Sequence, residues 1–250
     1  MKTFERDSSL DLIKWIALFT MIIDHTWFVL PNEIQENMSW MRVFGRFAFP
    51  LFCLTIAANV ARRPLRYPGG WTYLCGILLF AILSQWPYSR YFNNGHLNIL
   101  FVLALGLVIA QAVHHRTPRL FAGGILVLVT AIAYRPVLSY GLAGVLLPAA
   151  LISALRAGKL EIKVASWSLC ALLAAIANVG GSILLLPNLP AIDCAVIAAA
   201  ALAPVLGLTL LQIQVRPLRP VGNWLYPVYP IHLLLLSSMS IASSSALASA

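Results

Sequence analysis

SLDLIKWIALFTMIIDHTWFVL, residues 9–30, is apolar over most of its length yet holds Asp11, Lys14, Asp24 and His25. A hydrocarbon core of about 30 Å takes about 20 residues of α-helix, so this stretch has the length of a membrane span. A charged side chain inside such a span costs about 2.5–3.5 kcal/mol even on insertion scales, and by default it faces a bundle interior and finds a partner. At about 100° per residue, Asp11, Lys14 and His25 fall within about 60° of one another, while Asp24 is turned about 100° from His25. The helix thus has a polar stripe that ends at His25, with Asp24 reaching sideways. Asp11 and Lys14 have the i,i+3 spacing of an ion pair near the helix start.

The rest of the chain has the same solvent. Of its 250 residues 60% are hydrophobic and 10% charged, and mean hydropathy is +0.85, which places it with polytopic helical membrane proteins and not with soluble globules. Apolar runs bounded by Pro, Gly or charge predict about nine transmembrane helices, at 9–30, 43–61, 71–88, 97–113, 120–134, 137–155, 164–186, 190–211 and 222–242. The run 120–134 is the shortest, and Pro148 is expected to kink 137–155.

The net charge of +9 does not point to nucleic acid, because the basic residues are dispersed between the runs. With a cytoplasmic N-terminus, Lys2, Arg6, Arg62, Arg63, Arg66, Arg116, Arg119, Arg156, Lys159, Lys163, Arg216 and Arg219 fall inside, against Arg42, Arg90 and Arg135 outside. The expectation is a single multi-pass domain over 1–250 in a bacterial inner membrane, with an uncleaved first helix and flexible ends at 1–8 and 243–250. Four singly placed cysteines give neither a disulfide framework nor a metal site.

Several polar groups gather toward the outer ends of the runs. Arg46 lies about one turn in from the outer end of the second run, at the depth of Asp24 in the first, so an Asp24–Arg46 ion pair is expected between antiparallel neighbours. Such a pair neutralises both charges and leaves His25 free. Gln85, Tyr88, His96 and Asn98 are placed where they can hydrogen-bond a substrate, although Trp and Tyr belts occur in any membrane protein. In the last run His232 sits near mid-membrane beside Tyr226 and Tyr229, with Pro227 and Pro230 loosening the helix.

The segments DLIKWIALFTMIIDH (11–25), GRFAFPLF (45–52), ILSQWPY (82–88), LNILF (97–101) and YPVYPIHLLLL (226–236) together resemble the TraX family of conjugative-plasmid proteins. Asp24, His25 and Arg46 match the family's DH and GR elements, and His232 its YP-x-H element; the middle, 102–220, is generic apolar helix. The resemblance implies an acetyltransferase that moves an acetyl group from cytoplasmic acetyl-CoA to the N-terminal amine of a pilin subunit.

In that frame His25 is the general base, a role that suits an imidazole with a reference pKa of about 6.5, with Asp24 and Arg46 completing the catalytic group. Arg46, or the amides of Gln85 and Asn98, stabilises the oxyanion. Gln85, Tyr88, Asn98, Tyr229 and His232 face substrate. Lys14, about 16 Å along the helix from His25, marks the donor end, where Arg62 and Arg63 hold phosphates. Two competing classes are a proton-coupled secondary transporter, which would be expected to show repeated halves, and a non-enzymatic pilus-assembly factor, which gives no reason for Asp24 and His25.

Overall fold

The computed structural model describes residues 7–65, 70–179, 189–216, 218–222 and 224–248, of 240–248 the backbone alone. Lys2, Arg6, Arg66 and residues 180–186 of the seventh predicted run lie outside the described residues. Among the described residues the regular structure is helical, apart from a single bridge between Leu97 and Leu138. In chain order the α-helices are α1 (Ser8–Trp27), α2 (Asn32–Asn37), α3 (Trp40–Gly45), α4 (Ala48–Ala61), α5 (Trp71–Phe92), α6 (Ile99–His115), α7 (Pro118–Ala133), α8 (Gly141–Arg156), α9 (Leu160–Val179), α10 (Ala191–Leu210) and α11 (Leu225–Ala248).

Each apolar run of the sequence falls on a helix, with α3 and α4 sharing the second. Three stretches are long and apolar enough to cross a membrane: Trp40–Ala61, α9 and α10. Helices α6, α7, α8 and the Leu225–Met239 part of α11 are apolar but shorter. The third run continues past residue 88 to Phe92, and the last continues past 242 to Ala248.

Local chemistry sets the ends. The Asp7 carboxylate accepts from the backbone N–H groups of Ser9 at 2.9 Å and Leu10 at 3.3 Å, capping α1 from the position just before its first residue, Ser8. Asn98 caps α6 in the same way, accepting from Leu100 N–H at 3.0 Å. Pro118 opens α7, where a missing N–H costs nothing. Asn93 closes α5 in the left-handed region.

Helix α4 is the axis of the packing. Phe49, Leu51, Cys53, Leu54 and Ile56 are fully buried, and α1, α6, α8 and α10 pack around them. Helices in lipid gain little from apolar burial as such and associate where small residues allow close approach. Two positions here follow that rule. A Cβ on Gly106 would come within 2.8 Å of the Pro148 ring, so the proline inside α8 is seated on α6, and a Cβ on Gly207 would meet Leu51 at 2.8 Å. Around this axis Leu79, Ile82, Leu83 and Trp86 of α5, with Phe121, Ile125, Leu126 and Val129 of α7, are exposed. Such faces suit contact with hydrocarbon chains.

Candidate functional site

The last turn of α1 supplies Asp24 and His25. Neighbours on a helix point about 100° apart, so the two side chains serve different partners. Asp24 turns to the junction of α3 and α4. There Arg46 ends α3, and its Nη2 donates to Asp24 Oδ1 at 2.5 Å. The guanidinium also donates from Nε to the Arg42 carbonyl at 3.2 Å and from Nη1 to Asn178 Oδ1 of α9 at 3.4 Å. Both side chains of the pair are largely buried, at 18% and 11% exposure. Charge-assisted bonds of this kind are needed to hold two ions out of water. The neighbouring Gly45 makes room, because a Cβ there would overlap the Asp24 carboxylate.

His25 turns the other way, toward α5 and α11. Its ring lies parallel to that of His232, 8° between planes and 5.0 Å between centroids, with His25 Nδ1 and His232 Nε2 at 2.7 Å. The other nitrogen of His232, Nδ1, is 2.9 Å from the Val228 carbonyl. Phe92 meets the His25 ring edge-on at 5.3 Å, and Tyr229 lies 6.4 Å from it. The Tyr91 hydroxyl donates to the His25 carbonyl at 2.5 Å, fixing the end of α1 against α5. His232 is 8% exposed and His25 is half-buried.

Beside this pair lies a cavity of roughly 930 Å³, within the size range of small-molecule sites. At one end its wall includes Lys14, Asn59 and Arg63, with Tyr73 and Thr55 along the way. Toward the other end it includes Met21, Leu100 and Tyr229. Met21 is one helical turn from His25, and the Tyr229 ring is 5.5 Å from that of His232. His25 is not itself in the wall; Tyr229, which is, lies 6.4 Å from it between ring centroids.

The remaining sequence-derived residues divide in two. Arg63 and Lys14 reach the cavity, whereas Arg62 ion-pairs with Asp7 at the start of α1. Lys14 is further held by the Val221 carbonyl at 3.1 Å and lies 3.6 Å from Asp11. Gln85 and Asn98 are spent on one another. Gln85 Oε1 accepts from Asn98 N–H at 2.9 Å and from Asn98 Nδ2 at 3.0 Å, and Asn98 also donates to the Ala81 carbonyl at 2.7 Å. Gln85 Nε2 donates to the His96 carbonyl at 2.9 Å. These amides tie α5 to the start of α6 instead of facing His25. Tyr88 is buried, with its hydroxyl 3.1 Å from Ser139 Oγ and accepting from Asn94 at 3.3 Å. His96 has a buried Nδ1 without a partner among the described residues.

Sequence reasoning missed Asn178, Tyr91 and Asn59, and gave Gly45 no role beyond its place in the GR element. Asn178 is a polar residue in the last turn of a helix read as generic, and the strict requirement at Gly45 follows only from how close α1 and α3 approach.

A family model described as TraX protein matches residues 9–240. Among curated proteins, the chain is 33% identical to Protein TraX of Escherichia coli (strain K12) over 145 residues, 55% of this chain and 52% of that one. A second Protein TraX of Escherichia coli is 30% identical over 145 residues, with the same coverage. The chain thus matches about half the length of these relatives. No solved structure matches it.

Proposed function

The chain belongs to the TraX family, and on that premise we propose that it is an acetyl-CoA-dependent N-acetyltransferase of the bacterial inner membrane. Its acceptor is the N-terminal amine of a pilin subunit, and its setting is conjugal transfer. In this proposal all nine apolar runs of the sequence, the shorter ones included, are spans of one domain, with the N-terminus in the cytoplasm.

The observation that carries the reading is the cavity, with cations at one end and the neighbours of His25 at the other. Lys14 and Arg63 have the charge to hold phosphates at a cytoplasmic mouth. Arg62, paired with Asp7, contributes to the local positive field and not to the wall. An apolar lumen interrupted by Thr55, Asn59 and Tyr73 suits a long arm that carries amides. Acetyl-CoA fits this set of side chains, and when bound it supplies an activated acetyl thioester.

The protein's own groups then do the following. His25 accepts the proton of the acceptor nitrogen as the N–C bond forms, and returns it to the departing sulfur. Arg46, fixed by Asp24, adds positive charge where the carbonyl oxygen becomes an oxyanion. Tyr88 and Tyr229 border the acceptor side, while both ring nitrogens of His232 are taken up by His25 and Val228. Gln85 and Asn98 act by holding α5 and α6 in place.

The test uses the purified full chain in nanodiscs, supplied with acetyl-CoA and a peptide carrying a pilin N-terminus, with the product read by mass spectrometry. Transfer is expected, and His25→Ala should lower its rate by about 10²–10⁴-fold while the melting temperature stays close to wild type. Folded protein that neither binds nor consumes acetyl-CoA would overturn the reading.

A further inference from the structure

We propose that His232 is a positioning residue that fixes the ring tautomer of His25, so that the lone pair of His25 stands on Nε2. The ordering follows from three atoms. A backbone carbonyl has no proton to give, so the 2.9 Å contact between Val228 O and His232 Nδ1 requires the hydrogen on that nitrogen. In a neutral imidazole the other nitrogen is then an acceptor. His232 Nε2 therefore accepts, and its partner at 2.7 Å, His25 Nδ1, donates. The sequence of bonds runs from His25 Nδ1–H to His232 Nε2, and from His232 Nδ1–H to Val228 O.

His25 Nε2 is left with a free lone pair, since the ring hydrogen bond of His25 among the described residues is made by Nδ1. The nitrogen a histidine presents to its substrate is decided by the bond its other nitrogen makes. Without such a bond, an imidazole favours the proton on Nε2, which would block the base at the atom that has to accept. His232 removes that option from 207 residues away in sequence. Its burial and its bond back to its own helix mean that it does not adapt to whichever tautomer His25 brings. Phe92 packed edge-on and Tyr91 on the His25 carbonyl hold the ring and the backbone in the register this bond needs.

The catalytic consequence rests on the acetyltransfer reading, whereas the tautomer assignment does not. As the acceptor nitrogen bonds to the acetyl carbon and the carbon–sulfur bond breaks, the nitrogen's proton goes to His25 Nε2. The resulting imidazolium shares its charge through Nδ1–H with His232 Nε2. Nε2 then gives the proton to the thiolate, leaving both rings as they began. His232 consumes nothing and touches neither substrate.

The experiment is ¹⁵N NMR of histidine-labelled full-length protein in detergent or nanodiscs, with the His25 ring signals assigned by their loss in His25→Ala. Wild-type protein is expected to show His25 protonated on Nδ1. His232→Gln, whose amide oxygen can accept at the Nε2 position, should keep that tautomer, and His232→Leu should move the proton to Nε2. In transfer assays His232→Leu should lose about 10²–10⁴-fold in kcat with KM for acetyl-CoA unchanged, and His232→Gln should recover to within about tenfold of wild type.

A wild-type His25 protonated on Nε2, or a His232→Leu variant that retains the Nδ1 tautomer, overturns the assignment. The wild-type reading does not depend on any His232 variant folding. Because the spectra need no turnover, the tautomer is decided even if no acetyl transfer is found, so failure of either claim is visible separately.

Discussion

The Asp24 carboxylate occupies the space that a side chain on Gly45 would need. Glycine at 45 is thus a requirement of the ion pair, since it lets Asp24 of α1 reach Arg46 across the backbone of α3. Gly45→Ala must push the carboxylate off its partner or part the two helices. Overpacking at a buried ion pair is expected to cost about 2–4 kcal/mol, read as a lowered unfolding midpoint in detergent. A variant as stable as wild type would show that α1 and α3 do not approach this closely.

The pair itself separates architecture from chemistry. Removing one member, by Asp24→Asn or Arg46→Met, leaves a buried charge without its counter-ion and should destabilise the protein by about 3–5 kcal/mol. Removing both, in Asp24→Asn/Arg46→Met, should recover much of that stability. If the pair only locks helices, acetylation returns with the fold. If Arg46 stabilises the oxyanion, the double variant is stable but slow, with its kcat still down by about 10²–10³-fold.

How much of this could be read in advance differs from residue to residue. The Asp24–Arg46 bond was legible because ions in apolar helices must pair, and their depths can be counted along two consecutive helices. The pairing of His25 with His232 was not, because the rotation of α11 against α1 depends on packing that no period in the chain encodes. The bonds that Gln85 and Asn98, expected to face substrate, make with one another were not legible for a related reason. A polar residue near a helix end is equally a substrate ligand or a cap, and only the 2.9 Å bond from Asn98 N–H to Gln85 Oε1 reveals the second use. The helical architecture itself followed from composition and run length, whereas the break at Arg46–Phe47 between α3 and α4 did not.

Arg62 and Arg63 are adjacent in sequence and differ in neighbourhood, which gives an internal control. Arg63 lines the cavity, and Arg63→Gln should raise KM for acetyl-CoA by about tenfold, the loss of one charge-assisted contact of about 1.5 kcal/mol. Arg62 instead meets Asp7 at the surface, so Arg62→Gln should leave KM unchanged and alter stability by no more than about 1 kcal/mol. Equal effects of the two substitutions on KM would mean that donor recognition is a diffuse field and not a site in the cavity wall.

The direction of the acyl path depends on which side each loop faces, and cysteine labelling reads that directly. In a background where the exposed Cys75 and Cys194 are replaced by alanine, Asn37→Cys should react with an impermeant maleimide in intact spheroplasts. Lys159→Cys should react only after permeabilisation, as the clustering of basic residues on its side requires. The two positions test different things. Asn37 follows α1 directly, so its labelling fixes the orientation of the helix that carries His25. Lys159 lies beyond α7, whose 16 residues span about 24 Å, less than a hydrocarbon core of about 30 Å. If α7 does not cross, Lys159 moves to the outside while Asn37 stays there, and the spans after residue 133 invert. If both positions invert, Lys14 and Arg63 open to the outside, where no acetyl-CoA is available, and the cavity no longer provides a route for the acetyl group.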